Sequence, residues 1–114
     1  MSHAGCRSSG VLTASAVVSA ERCKLISLHM GCTIGHADNM AFVQIYDSGI
    51  ATTSGKTELA RFSLANGDRA ANDSYVFEAD MHGVIASEGL YLVITGTSPG
   101  GNTDPTVYSS VEFA

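Results

Sequence analysis

The sequence predicts an all-β domain: a small antiparallel β-sandwich, of jelly-roll or Ig-like type, with about seven to eight short strands. Three observations carry this. Runs of β-branched and aromatic residues alternate apolar with polar side chains at a period of two. Clusters of Gly, Asn, Asp and Pro separate those runs at fairly regular intervals. The best helix candidates, residues 14–22 and 58–65, have neither caps nor an apolar stripe at helical spacing.

Taken in order, residues 10–18 (GVLTASAVV) alternate small and β-branched residues with hydroxyls, as a half-buried strand does. Residues 23–30 form the second strand, with Cys23, Leu25, Ser27 and His29 on one face and Lys24, Ile26, Leu28 and Met30 on the other. The second set is the more apolar and is expected to face the core, with Lys24 at the strand's start. Residues 40–47 follow, Val43 and Ile45 opposite Phe42, Gln44 and Tyr46. Residues 58–64 and 74–80 are the next two, the latter with Tyr75, Phe77 and Ala79 opposite Val76, Glu78 and Asp80. Residues 90–95 put Leu90, Leu92 and Ile94 on one side and Tyr91, Val93 and Thr95 on the other. Apolar residues on both faces describe a strand covered twice, by the opposite sheet and by something else, such as another copy of the chain. Residues 106–113 close the series, Val107, Ser109, Val111 and Phe113 alternating with Thr106, Tyr108, Ser110 and Glu112.

The connections carry turn chemistry at residues 47–49, 54–56, 66–68, 72–73 and 98–102. Two look long, residues 31–39 and 48–57, and long loops on a small sandwich are where contacts concentrate. Residues 1–9 read as a flexible arm and residues 10–114 as one domain, a common size for a single core.

Composition excludes several function classes. The chain has 114 residues, 45% hydrophobic and 15% charged, with net charge −5 and only six scattered Lys and Arg. Nucleic-acid binding needs a concentrated basic face, so neither nucleic acid nor an anionic membrane is expected as a partner. No apolar run is long enough to span a bilayer as a helix. The opening MSHAGCRSSG lacks the features of a secretory signal, which points to synthesis in a cytoplasm. Three cysteines, Cys6, Cys23 and Cys32, leave one unpaired whatever forms, and favour reduced thiols with Cys23 as a small core residue.

Chemical motifs are weak. Residues 49–57 (GIATTSGKT) end like a phosphate-binding loop, but five residues separate the glycines and a strand follows instead of a helix. His29, Cys32, His36 and Asp38 are metal-ligand types within ten residues. Their spacing matches no paired-ligand scheme, and His29, Cys32 and His36 remain candidates without a defined site. No Gly-x-Ser-x-Gly elbow presents a nucleophile, and Glu78 with Asp80 reads as a solvated strand face. The sequence therefore implies no enzyme and no cofactor.

A resemblance arises from the strands themselves. Gly10-Val11-Leu12, Val43-Gln44-Ile45-Tyr46-Asp47, Gly89-Leu90-Tyr91-Leu92-Val93-Ile94-Thr95-Gly96-Thr97 and Thr106-Val107-Tyr108 succeed one another from residue 10 onward. This layout resembles small β-sandwich virion proteins of tailed bacteriophages, of the capsid decoration (cement) or head-fibre type. The resemblance implies a non-enzymatic structural protein of the virion, a homotrimer that binds the major capsid protein on the assembled head. Expected contacts are His3 and Arg7 in the arm, His36 and Asp38 in one long loop, and Thr52 and Lys56 in the other. A tail or neck component is the nearby alternative. A carbohydrate-binding module of the same fold is a further one, with Tyr46, Tyr75, Tyr91 and Tyr108 as its only Tyr candidates for a sugar platform.

Overall fold

A computed structural model describes residues 6–34, 39–64, 74–98 and 104–114. Among the described residues, eight strands run in the order β1 (Arg7–Ser8), β2 (Ala16–Ser19), β3 (Cys23–Thr33), β4 (Met40–Asp47), β5 (Thr57–Leu64), β6 (Ser74–Ala86), β7 (Leu90–Thr97) and β8 (Thr106–Phe113). They form two four-stranded antiparallel sheets, β1-β8-β3-β6 and β2-β7-β4-β5, called here the first and second sheet. Strand 1 pairs with 8, 2 with 7, 3 with 6 and 4 with 5. That nesting is one long hairpin rolled around itself, the jelly-roll form of the sandwich. The Ig-like alternative is thereby set aside.

Alternation decides which side chains meet between the sheets. Leu28, Met30 and Cys32 of β3 and Val107, Val111 and Phe113 of β8 face Ala41, Val43 and Ile45 of β4 and Leu90 and Leu92 of β7 in one buried cluster. At the β5–β6 margin Phe62 stacks on Phe77 with ring centroids 5.8 Å apart, bridging the two sheets.

Two strands depart from the sequence expectation. In β3, Cys23 and Leu25 are buried together with Leu28 and Met30, residues that strict alternation places on opposite faces. The register explains it. Leu25 pairs with Phe113 and Ser27 with Glu112, so Ile26 is an extra residue against β8. This β-bulge shifts the phase by one and turns both apolar halves inward. Against β6 the mismatch falls on the other strand, where Leu25 pairs with Val84 and Ser27 with Asp80. The surplus residues there include His82 and Gly83, both at positive φ (53° and 76°). The Asp80 carboxylate accepts a bond from the His82 N–H at 2.8 Å, holding the bulge in place.

The first predicted strand shortens to Ala16–Ser19. Leu12 instead bridges Ser109 of the first sheet, so the chain crosses between sheets over residues 13–15. Ser15 completes the crossing, its hydroxyl accepting the Ile94 N–H at 2.9 Å in place of a backbone partner. Arg7 and Ser8, within the segment expected as an arm, pair with Phe113 and Glu112. The turn signals at residues 66–68, 72–73 and 99–102 lie outside the described residues.

At one end of the second sheet three backbones converge. The Asp47 carboxylate accepts N–H bonds from Ser87 (3.0 Å), Glu88 (2.8 Å) and Gly89 (3.4 Å). Lys56 reaches across to Glu88 at 2.6 Å. Burial pushes the Asp47 carboxyl up, but the three N–H donors and nearby Lys56 outweigh it and leave the group below its ordinary range. A carboxyl whose folded pKa is lowered stabilises the fold above its unfolded value of about 3.9, and that stabilisation is lost as pH falls from there through the folded pKa. Asp47→Ala is therefore expected to cost about 1 kcal/mol at neutral pH and less at an acid pH below the folded pKa. Urea unfolding at the two pH values checks it.

Candidate interaction surfaces

With the inner faces committed to the core, the chemistry available to partners lies on the two outer faces. On the second sheet, β4 and β7 are neighbours, and Tyr46 sits directly opposite Tyr91, Gln44 opposite Val93, and Phe42 opposite Thr95. Val17 of β2 pairs with Tyr91 and continues the row. These residues alternate with the buried Val43, Ile45, Leu90 and Leu92 and point away from the core. A polar string runs beside them. The Gln44 amide donates to Tyr46 Oη at 3.0 Å and to Glu58 Oε2 at 2.6 Å, while Arg61 Nε donates to the same carboxylate oxygen at 3.1 Å. The Gln44 bond, with help from Arg61, holds the Glu58 carboxyl below its ordinary range despite some burial. The result is a rigid mixed surface: two tyrosines side by side, flanked by an ordered amide, carboxylate and guanidinium.

The outer face of the first sheet carries a second cluster. Ser27 and His29 project from β3 beyond the bulge, with Glu112 of β8 and Glu78 of β6 on either side. Ser27 Oγ donates to Glu112 Oε1 at 2.5 Å and lies 3.2 Å from His29 Nε2. His29 Nδ1 is 3.4 Å from Glu78 Oε2, and Nε2 is 3.7 Å from Glu112 Oε1. The order Ser, His Nε2, His Nδ1, carboxylate imitates a hydrolytic triad, but the Ser27 hydroxyl donates its hydrogen bond to Glu112 Oε1 instead of to the imidazole.

The sequence-predicted residues fare unequally. His29 is on the outer face, whereas Cys32, three residues along β3, is 1% exposed and turned into the core. The two cannot bind one ion. His36, Asp38 and His3 lie outside the described residues, and among the described residues no group of three ligand-type side chains could hold a metal. Arg7 is exposed and its guanidinium lies 4.7 Å from the centre of the Phe113 ring, capping the core margin. Lys56 is tied to Glu88 within the chain. The Thr52 hydroxyl accepts from the Ser54 N–H at 3.4 Å, a contact within its own loop. Cys23 is buried as expected, and burial raises its thiol pKa. Of the four tyrosines, Tyr46 and Tyr91 meet on one face, Tyr108 is on the opposite sheet, and Tyr75 packs against the core.

Sequence reasoning missed the Ser27–His29–Glu112 cluster. The outward placement of Glu112 was readable from alternation in the last strand. The pairing of that strand with β3 was not. No family model, curated protein or solved structure matches the chain.

Proposed function

We propose that this protein is a structural component of a virion, a capsid decoration protein that binds the assembled head as a homotrimer and contacts the major capsid protein through the outer face of its second sheet. The observation that carries the reading is the direct pairing of Tyr46 with Tyr91. These are the tyrosines of two of the strand motifs that carry the resemblance, and their strands lie side by side with the rings on the solvent face. Tyrosine presents a large, stiff contact area with a polar tip, the chemistry that dominates protein interfaces. Jelly rolls are a recurrent form for virion proteins. Cementing follows from linkage: a protein that binds the lattice but not free subunits stabilises the lattice, and three copies bound together multiply weak contacts.

Co-sedimentation with mature heads and with unassembled capsid subunits tests this. Binding to heads alone, saturating in proportion to lattice axes, is expected. Tyr91→Ala and Tyr46→Ala are each expected to weaken it at least about tenfold, as hot-spot tyrosines do. Equal binding to free subunits, or none to heads, overturns the reading.

One observation favours a second reading. Two tyrosines flanked by Gln44, Glu58 and Arg61 are also suited to a sugar, whose C–H face stacks on rings while its hydroxyls bond to amide and carboxylate. Lectin domains share the jelly-roll form. Binding to immobilised glycans that is lost in Tyr46→Ala would select this reading.

A further inference from the structure

The outer face of the first sheet is organised lengthwise. At the level of Gly31, that residue pairs with Tyr108 on one side and Val76 on the other. A side chain on Gly31 would collide with the Tyr108 ring, which lies flat over the glycine. Val11 joins them around a small hollow. Val11 is 71%, Val76 73% and Tyr108 37% exposed, so this end is an apolar ridge open to solvent. Next along the strands comes the acidic belt of Glu78 and Glu112 around His29. Ile26, thrown onto this face by the bulge, lies beyond it. At the far end Lys24 pairs with Ile85 and exchanges both backbone bonds with Ala114. With Arg22 and Cys23, these residues line a hollow of about 360 Å³.

Strand geometry relates the two ends. At about 3.3 Å per residue, Lys24 and His29 are roughly 16 Å apart along β3, with Ile26 and Ser27 midway. A second identical face laid antiparallel over the first, centred on that midpoint, brings each Lys24 over the other copy's His29, beside Glu78. The same placement sets the Gly31 level over the level of residue 22, and so the apolar ridge over the hollow. Ile26 meets its counterpart at the centre. One register thus pairs Lys24 with Glu78 and the ridge with the hollow.

We propose that this face is where a second copy of the chain docks. The Val11–Val76–Tyr108 ridge of one copy sits against the Arg22–Ile85–Ala114 hollow of the other, and Glu78, level with His29, lies over the other copy's Lys24. Four strands about 4.8 Å apart over nine residue steps give roughly 19 by 30 Å, or about 1,100 Å² over both copies, at the lower end of specific interfaces. The overlay is self-complementary, so the contact closes as a two-fold pair and each ridge-and-hollow match is made twice in it. It does not rest on the capsid reading, which uses the opposite sheet, so either can fail alone.

The test is mass by light scattering across a concentration series, with the wild type, Lys24→Glu, Glu78→Lys and the double variant. Thermal unfolding of each variant serves as the folding control. The wild type is expected to reach a two-copy mass. Each single variant weakens association at least about tenfold, because like charges then face each other, and the double variant recovers to within about threefold of wild type. Val76→Lys, which puts a charge on the ridge, is expected to abolish association independently. A single-copy mass for the wild type at every concentration overturns the proposal. So does association that neither single variant weakens, or a double variant no better than the singles.

Discussion

Gly89→Ala is expected to remove about 3 kcal/mol of stability, the sum of backbone strain and overpacking, each typically 1–3 kcal/mol. Gly89 has φ +150°, a region that residues with a Cβ rarely adopt. The added methyl would also run into the Ser19 carbonyl oxygen, with the Gly49 Cα at 2.9 Å and the Ser48 oxygen at 3.0 Å. All three neighbours are backbone, so no rotamer change can relieve them. The same position holds the Asp47 clamp, and moving Gly89 would lengthen its N–H bond to that carboxylate. Gly55→Ala is the internal comparison. Its φ is +74° but its Cβ would enter open space, so strain alone acts and the loss is about 1–2 kcal/mol. Urea midpoints of the two variants decide the matter: equal losses would mean that crowding at Gly89 is absorbed elsewhere.

Leu28→Ala is expected to cost about 2–5 kcal/mol, the range for emptying a fully buried leucine site. Leu28 is 0% exposed and lies at the middle of β3, paired with Ala79 on one side and Val111 on the other. One neighbour is already small and Val111 is also 0% exposed, so little side-chain volume can move into the void. Thermal unfolding should show a midpoint roughly 10 °C lower or more, at about 4 °C per kcal/mol for a domain near this size. A loss under 1 kcal/mol would mean that the sheets close over the gap.

These two sites also show what the sequence could and could not convey. The inward faces of β4, β7 and β8 were readable, because Val43, Ile45, Leu90, Leu92, Val107 and Val111 alternate without interruption and are all buried. Leu28 and Met30 were placed correctly, but the strand face that carries Cys23 and Leu25 was set opposite the core, although Cys23 by itself was expected inside. Periodicity assumes a constant phase, and the extra residue Ile26 breaks it. The first strand was drawn too long for a related reason. Ser15 bonds to Ile94 through its side chain, so a stretch with strand composition crosses between sheets without pairing as one. For the surfaces, alternation put Glu78 on a solvated face and separated Tyr46, Tyr91 and Glu112 from the opposite faces of their strands, without telling which face of those strands is the outer one. Which of them touch is set by strand order, and strand order comes from long-range pairing that local patterns do not encode. Tyr46 beside Tyr91 and Ser27 beside Glu112 are both products of that order.

The nesting of the strands has a consequence for how the protein reaches this state. β8 is last of the eight in chain order, yet it is an interior strand, flanked by β1 and β3. The bond from Ser109 Oγ to the His29 carbonyl spans 80 residues, and that from Val111 N–H to Ser9 Oγ spans 102. During synthesis the first sheet therefore has a gap at its centre until residues 106–113 emerge, and β1 has no neighbour to pair with. Loop-closure entropy must be met before those contacts give any return, so folding is slow for the chain's size and its completion is tightly cooperative. Until β8 inserts, an unpaired edge of β3 stays open to other chains.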